Sequence, residues 1–342
     1  MPSAAPVESS AAAARRPVPR WQQELAAAIR DVAELAASLQ LDPGLLAATA
    51  GVDGGFPLLV PRPFVDRMRR GDPADPLLLQ VLPRVEEATP ADGFVADPLG
   101  EAESLAAAGL VRKYAGRVLV LLAAGCAVNC RYCFRREFPY VESGVGRHGL
   151  DEAIAAVAAD VSVSEVILSG GDPLLVDDQR LAALLARLQG IPHLRRLRIH
   201  TRLPIVLPSR VTQELVDMLA TSRLTPVVVV HANHPAELDD DVAAGMRRLS
   251  AAGVLVFNQA VLLAGINDAV PVLAALCERL VDVGVVPYYL HLLDRVRGAA
   301  HFDVAQERAV ALHRELLDSL PGYAVPRLVR EIPGERSKVP VF

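Results

Sequence analysis

Residues 117–134 read RVLVLLAAGCAVNCRYCF, and this stretch decides the fold. Its first part, Arg117 to Ala123, is a short apolar run of strand length. After Arg117 it carries no charge, as a strand buried on both faces requires. Its second part sets Cys126, Cys130 and Cys133 in C-x3-C-x2-C spacing directly after that run. Three thiolates on one loop can ligate an iron–sulfur cluster and leave one iron without a protein ligand, because such clusters ordinarily take four cysteines. A zinc site completed by a distant ligand is the competing reading, but zinc favours a fourth Cys or His nearby. The fourth cysteine, Cys277, lies in the helical run PVLAALCERL and reads as core.

Working outward, the same texture repeats. Apolar runs at Glu165–Ser169, Leu194–Thr201, Pro226–His231, Leu255–Leu262 and Val285–Leu293 alternate with helical stretches. The helices are Asp151–Asp160, Asp178–Leu188, Thr212–Ala220, Asp239–Ala252 and Val270–Val283. Alternating strand and helix predicts an α/β protein with a parallel sheet and right-handed crossovers. Six such units predict a partial (β/α)6 barrel, although a doubly wound open sheet has the same period. Almost every run ends in a polar or glycine-rich cluster: GCAVNCRYC, SGGDP, HTR, HANH, NQ and HLLD. A parallel barrel places its active site at those C-terminal strand ends.

Four segments follow. Residues 1–20, rich in Ala and Pro, read as a disordered tail. Residues 21–110 read as a helical region wrapped against something larger. It opens with a helix over Trp21–Leu41 and a further helical piece around Leu45–Ala48, then becomes dense in Pro, Asp and Gly. Residues 111–310 hold the barrel, and 311–342 a helix and a short tail.

With 52% hydrophobic residues the chain has ample core, which excludes global disorder. A net charge of −5 argues against a nucleic-acid binder. Four cysteines in 342 residues make no disulfide scaffold. No apolar run reaches the roughly 18 residues of a membrane span, and the N-terminus lacks a secretory apolar core, so a cytoplasmic protein is expected. Lysine is scarce: of 35 basic residues only Lys113 and Lys338 are lysine. A lysine kept in so arginine-rich a chain marks chemistry a guanidinium cannot perform, such as Schiff-base formation.

The cysteine loop resembles the radical S-adenosylmethionine superfamily. That resemblance implies a [4Fe–4S] cluster on Cys126, Cys130 and Cys133, and S-adenosylmethionine cleaved to a 5′-deoxyadenosyl radical. The segments KYAGRVLVLL, GCAVNCRYCFRR, LSGGDPLLV, RIHTRLPIVLPSR, HANHPAE, NQAVLLAGIND and PYYLH further resemble the lysine 2,3-aminomutase family. Within it, the likeness is to the shorter bacterial branch tied to β-lysylation of elongation factor P. The implied reaction converts (S)-α-lysine to (R)-β-lysine, with pyridoxal 5′-phosphate supplying an imine that accepts the migrating radical.

The resemblance also assigns residues. Lys338, in PGERSKVP, takes the place of the cofactor lysine, with Glu335, Arg336 and Ser337 where the family has small residues. Lys113 and Tyr114 fall where the family binds the cofactor phosphate. Ser169, Gly170, Gly171 and Asp172 match the segment that holds the methionine amino group, and the glycines are expected to let backbone approach the ligand. His231 and Gln259 match contacts to the adenosyl group. Arg202 is a carboxylate or phosphate ligand candidate. Arg135 matches the substrate-carboxylate arginine. Asp294 and Glu331 match the two carboxylates that bind the ε-ammonium, Glu331 replacing an aspartate. Implied partners are L-lysine, a reductant such as flavodoxin or ferredoxin, and indirectly a β-lysine ligase acting on elongation factor P; neither nucleic acid nor membrane is expected. The chain ends soon after Lys338, where longer members continue, so a homodimer is expected. The alternatives are an aminomutase serving another pathway, a radical enzyme without pyridoxal phosphate, and a non-catalytic iron–sulfur scaffold.

Overall fold

The sheet is the frame on which everything else is placed. In the computed structural model, which describes residues 17–42, 44, 56–140, 142–145 and 147–342, ten strands form one sheet in chain order. They are β1 (Leu105–Ala107), β2 (Leu110–Tyr114), β3 (Arg117–Ala123), β4 (Glu165–Gly170), β5 (Arg196–Thr201), β6 (Thr225–Val230), β7 (Leu255–Val261), β8 (Val286–His291), β9 (Arg327–Arg330) and β10 (Val339–Pro340). From β3 to β9 all neighbours are parallel, and antiparallel pairs flank them at β1–β2–β3 and β9–β10. Among the described residues β1 and β10 do not pair, so the sheet is an unclosed barrel.

Each of the six runs expected from the sequence is a strand. The parallel stack has a seventh member, β9. Its text, RLVR, is four residues long and carries two arginines, too short and too polar to stand out. β2 crosses residue 110 and β9 lies beyond residue 310, so the sheet extends past both expected barrel boundaries.

The crossover helices are Arg147–Ala159, Asp178–Gln189, Gln213–Ala220, Asp240–Ala251 and Val270–Asp282. Three begin at N-caps that the sequence advertises: the side chains of Asp177, Thr212 and Asp239 each accept a backbone N–H of the first turn. The apolar stripe Leu181, Leu184, Leu185 and Leu188 is buried on the sheet side.

The expected helix over Trp21–Leu41 is two helices, Arg20–Ala26 and Val32–Ser38. Between them Ile29 forms an isolated bridge with Val60, N–H to C=O in both directions at 2.8 and 3.0 Å. The Asp31 side chain then caps a new start by accepting from the Glu34 N–H. The expected piece around Leu45–Ala48 and most of the expected disordered tail lie outside the described residues.

The segment from Phe56 to Leu99 packs on the barrel through Phe64, Leu77, Leu78 and Val81, all fully buried in the main core. It also reaches the cysteine loop. Leu59 O accepts from Asn129 N at 3.0 Å and Gln80 O accepts from Arg131 N at 2.9 Å. No helix among the described residues is long and apolar enough to cross a membrane.

Candidate active site

The strand ends enclose one cavity of about 510 Å3. The three cysteines line it together with Lys338, Asp294, Glu331, His231 and Gln259. All three thiols are free, whereas Cys277 is buried in its helix as core. Burial and the neighbouring Cys130 push the Cys133 thiol up to about 11, so loading iron here must displace protons. No group of three or more Cys, His, Asp or Glu side chains among the described residues is arranged around a single metal ion.

The cysteine loop is held from two sides. Arg131, between two of the cysteines, has no exposed side-chain surface and forms a fork with Glu87, which also takes Arg136 at 2.8 Å. From the other side, the Ser169–Asp172 segment leans on the loop's backbone. Gly171 N donates to Ala123 O at 2.6 Å and Asp172 N to Gly125 O at 2.7 Å. Gly170 has φ +123°, and a Cβ on Gly171 would collide with the Gly125 carbonyl oxygen. The glycines therefore admit the cluster loop, and their backbone also lines the cavity.

Asp172 is also spent internally. Its Oδ1 accepts from Thr201 Oγ1 at 2.7 Å and Leu174 N at 3.0 Å; its Oδ2 accepts from Arg202 N at 2.7 Å and Leu203 N at 3.0 Å. It fixes the start of the loop after β5, and its carboxylate is not free for a ligand's amino group.

Arg135 is buried and engaged. Glu101 takes it in a two-pronged ion pair at 2.6 and 3.0 Å, while Nη1 donates to Ser169 Oγ at 2.8 Å and Gly170 O at 3.0 Å. Four of its five N–H donors are used. The expected fork with a substrate carboxylate is thus made with an internal one. Glu101 was invisible in the sequence, because it precedes a single turn with no periodic pattern around it.

The chain's two lysines converge on one carboxylate. Lys113 Nζ lies 3.1 Å from Glu331 Oε1 and 3.2 Å from Glu101 Oε1. Tyr114 OH donates to Glu331 Oε1 at 3.1 Å, and Lys338 Nζ to Glu331 Oε2 at 2.6 Å. Burial pushes the Glu331 carboxyl up, but Lys338 and Lys113 outweigh it and hold the group well below the usual range. Lys113 and Tyr114 therefore point their polar ends at Glu331, where the sequence suggested a phosphate. Arg117, stacked on Tyr114 at 4.5 Å, lines the same cavity and makes no ion pair among the described residues.

Asp294 is the contrasting carboxylate. Its side chain accepts no hydrogen bond among the described residues. Burial, with Glu331 nearby, raises it to about 7.

Arg202 is not an open anion site either. Its guanidinium bonds Cys130 Sγ, Tyr132, Gln80 and Glu237. His231 is half-buried at the cavity wall, and burial, with Arg202 nearby, lowers it to about 3, so its ring is neutral.

Four buried atoms on residues of the cavity wall lack partners among the described residues: Nε2 of His200, of Gln259 and of His291, and Nε of Arg202. Orphaned buried polar atoms need a partner, and four on the residues of one cavity fit a polar ligand there. His200 and His291 stand at strand ends within the clusters HTR and HLLD, so the position was legible although these residues were passed over. Tyr289, whose ring centroid lies 5.8 Å from Lys338 Nζ, was likewise missed.

The donor set fits the expected groups. Three thiols with no fourth cysteine on the cavity suit a cluster with one open iron. A lysine over an aromatic ring beside basic groups suits a pyridoxal phosphate. This fold and site define a radical S-adenosylmethionine enzyme, and the radical SAM superfamily model matches residues 120–276. Several curated proteins match almost end to end. L-lysine 2,3-aminomutase of Escherichia coli (strain K12) is 48% identical over 322 residues, covering 94% of each chain. That of Haemophilus influenzae is 45% identical over 318 residues, covering 93% of this chain and 94% of its own. The L-lysine 2,3-aminomutase of Clostridium subterminale is 38% identical over 273 residues, covering 79% of this chain and 65% of its own. The chain belongs to the lysine 2,3-aminomutase family.

Proposed function

We propose that this protein converts L-lysine to β-lysine. The observation that carries the reading is that one cavity joins the three thiols to Lys338 and to an unpaired carboxylate, Asp294. The bound cluster with S-adenosylmethionine, and pyridoxal phosphate, would supply a hydrogen-abstracting carbon radical and a conjugated π-system.

The chain's own residues do the rest. Lys338 holds the pyridoxal, and Lys113 and Arg117 offer cations to its phosphate. His231 and Gln259, with the backbone of Ser169 to Gly171, line the place of S-adenosylmethionine. The substrate carboxylate takes the remaining N–H of Arg135, whose orientation Glu101 and Ser169 fix. The ε-ammonium goes to Asp294, with Glu331 beside it. An internal carboxylate on Arg135 and a lysine pair on Glu331 keep those buried charges compensated before substrate enters.

We place the reaction in the cytoplasm, with a flavodoxin or ferredoxin as electron donor. The product would feed a ligase that modifies elongation factor P. The near end-to-end match to the shorter relatives supports that branch.

The test is an anaerobic assay of reconstituted enzyme with S-adenosylmethionine, pyridoxal phosphate, a reductant and L-lysine, read by mass spectrometry after chiral derivatisation. A β-lysine peak lost in both Cys130→Ala and Lys338→Ala is expected. 5′-Deoxyadenosine without β-lysine would keep the radical chemistry and reject the substrate.

A further inference from the structure

Cys130 differs from its companion thiols in what stands behind it. Arg202, the first residue after β5, directs Nη1 at Cys130 Sγ as a donor and also donates from it to Tyr132 OH at 2.6 Å. From Nη2 it donates to Gln80 Oε1 at 2.7 Å and Glu237 Oε2 at 3.0 Å. Its fifth N–H, on Nε, is buried with no acceptor among the described residues. No other side chain among the described residues donates to the sulfur of Cys126 or Cys133.

The acceptors are themselves pinned. Gln80 Nε2 donates to Glu237 Oε1 at 3.1 Å, and Asn233 donates from N to Glu237 Oε1 at 2.8 Å and from Nδ2 to Tyr132 OH at 2.6 Å. Glu237 is fully buried and the Arg202 side chain is 8% exposed. The guanidinium cannot leave the sulfur without stranding several buried polar groups.

A fixed donor on a cluster cysteine favours the more negative, reduced state, and hydrogen bonds to the sulfurs are among the levers that set cluster potential. We propose that Arg202 sets the reduction potential of the iron–sulfur cluster through its hydrogen bond to the Cys130 thiolate, with Glu237, Gln80 and Tyr132 holding it in place. The step it governs is the uptake of one electron from a low-potential protein donor; no bond to Arg202 forms or breaks. It is a positioning residue for that step. The inference rests on the cluster reading of the cysteine loop and is independent of lysine as substrate.

The experiment is a potentiometric titration of anaerobically reconstituted enzyme without S-adenosylmethionine or lysine, read by electron paramagnetic resonance of the reduced cluster. Iron and sulfide are assayed in parallel. Arg202→Gln and Arg202→Met both remove the donors while keeping the length of the side chain roughly intact. The expected result is full iron content with the reduced-to-oxidised ratio at a fixed poise lowered about tenfold, equivalent to about 59 mV for one electron. An unchanged ratio in an iron-replete Arg202 variant overturns the proposal. So does loss of iron from both Arg202 variants, which would make Arg202 a structural support only. Neither result touches the lysine assay, so the two readings fail separately.

Discussion

At the scale of the residue, two carboxylates in one cavity are set apart by their company. Glu331 is ionised by the lysines it holds, whereas Asp294 lies without a partner and titrates at about 7. An ammonium group binds the ionised form of Asp294. Below pH 7 each bound lysine must therefore displace a proton from Asp294, and the apparent affinity for lysine should fall as pH drops through about 7. The limiting slope is about tenfold per pH unit, as for any single proton in competition. In steady-state assays KM should carry this dependence. Asp294→Asn should raise KM by roughly tenfold or more, the cost of a charged hydrogen bond, and flatten the profile. A profile of the same shape in Asp294→Asn would assign the titration elsewhere. Lys338 was legible here because lysine is scarce, and the structure adds that both lysines meet at Glu331. Glu101 was not legible, since nothing in GEAES distinguishes one surface acid from a buried one.

At the scale of the element, the cysteine loop illustrates what spacing does and does not reveal. C-x3-C-x2-C announces the thiols, and runs such as VLVLL and EVILS announce strands buried on both faces. Neither announces what holds the loop, because Glu87 lies 44 residues before Arg131 in a single 3-10 turn, Val85–Ala88, too short to show a pattern. Likewise the spacing Leu25, Ile29, Val32, Leu35 continues smoothly across a break between two helices, since Ile29 is buried by a bridge to Val60 instead of a helix face. The Glu87–Arg131–Arg136 cluster lends itself to a direct test. Glu87→Gln leaves Arg131 buried with its charge unpaired, a change that costs about 3–5 kcal/mol for a buried ion pair. The expected outcome is a melting midpoint lowered by several degrees, together with reduced iron content after reconstitution. Full iron content at an unchanged midpoint would show that Asn129 and the wrap's backbone bonds suffice to shape the loop.

At the scale of the whole molecule, the barrel and the tail contribute to one site with very different footing. The parallel strands from β3 to β8 have Val, Ile and Leu buried against crossover helices, so their order was readable from alternation alone. The C-terminal closure was not readable, because β9 has four residues and β10 two, each below the length at which a pattern shows. Yet this short hairpin delivers Lys338 to the cavity from a turn whose tip, Pro333 to Arg336, is exposed. It is fastened by the β9–β10 pairing, by Val341 N donating to Leu328 O at 3.0 Å, and by the buried Val341 side chain. A hairpin of this size has little stability of its own, so the Val341 anchor should decide how firmly Lys338 is presented. Burying one valine contributes about 1.5–3 kcal/mol, which corresponds to roughly ten- to a hundredfold in an equilibrium constant. Val341→Asp should therefore weaken pyridoxal phosphate binding by at least about tenfold, read by absorbance titration. Iron content should stay at the level of the unsubstituted protein, because the cysteine loop is held by Glu87 and the Ser169–Asp172 segment on the barrel side. Loss of iron together with loss of pyridoxal phosphate would mean instead that tail and barrel open as one cooperative unit.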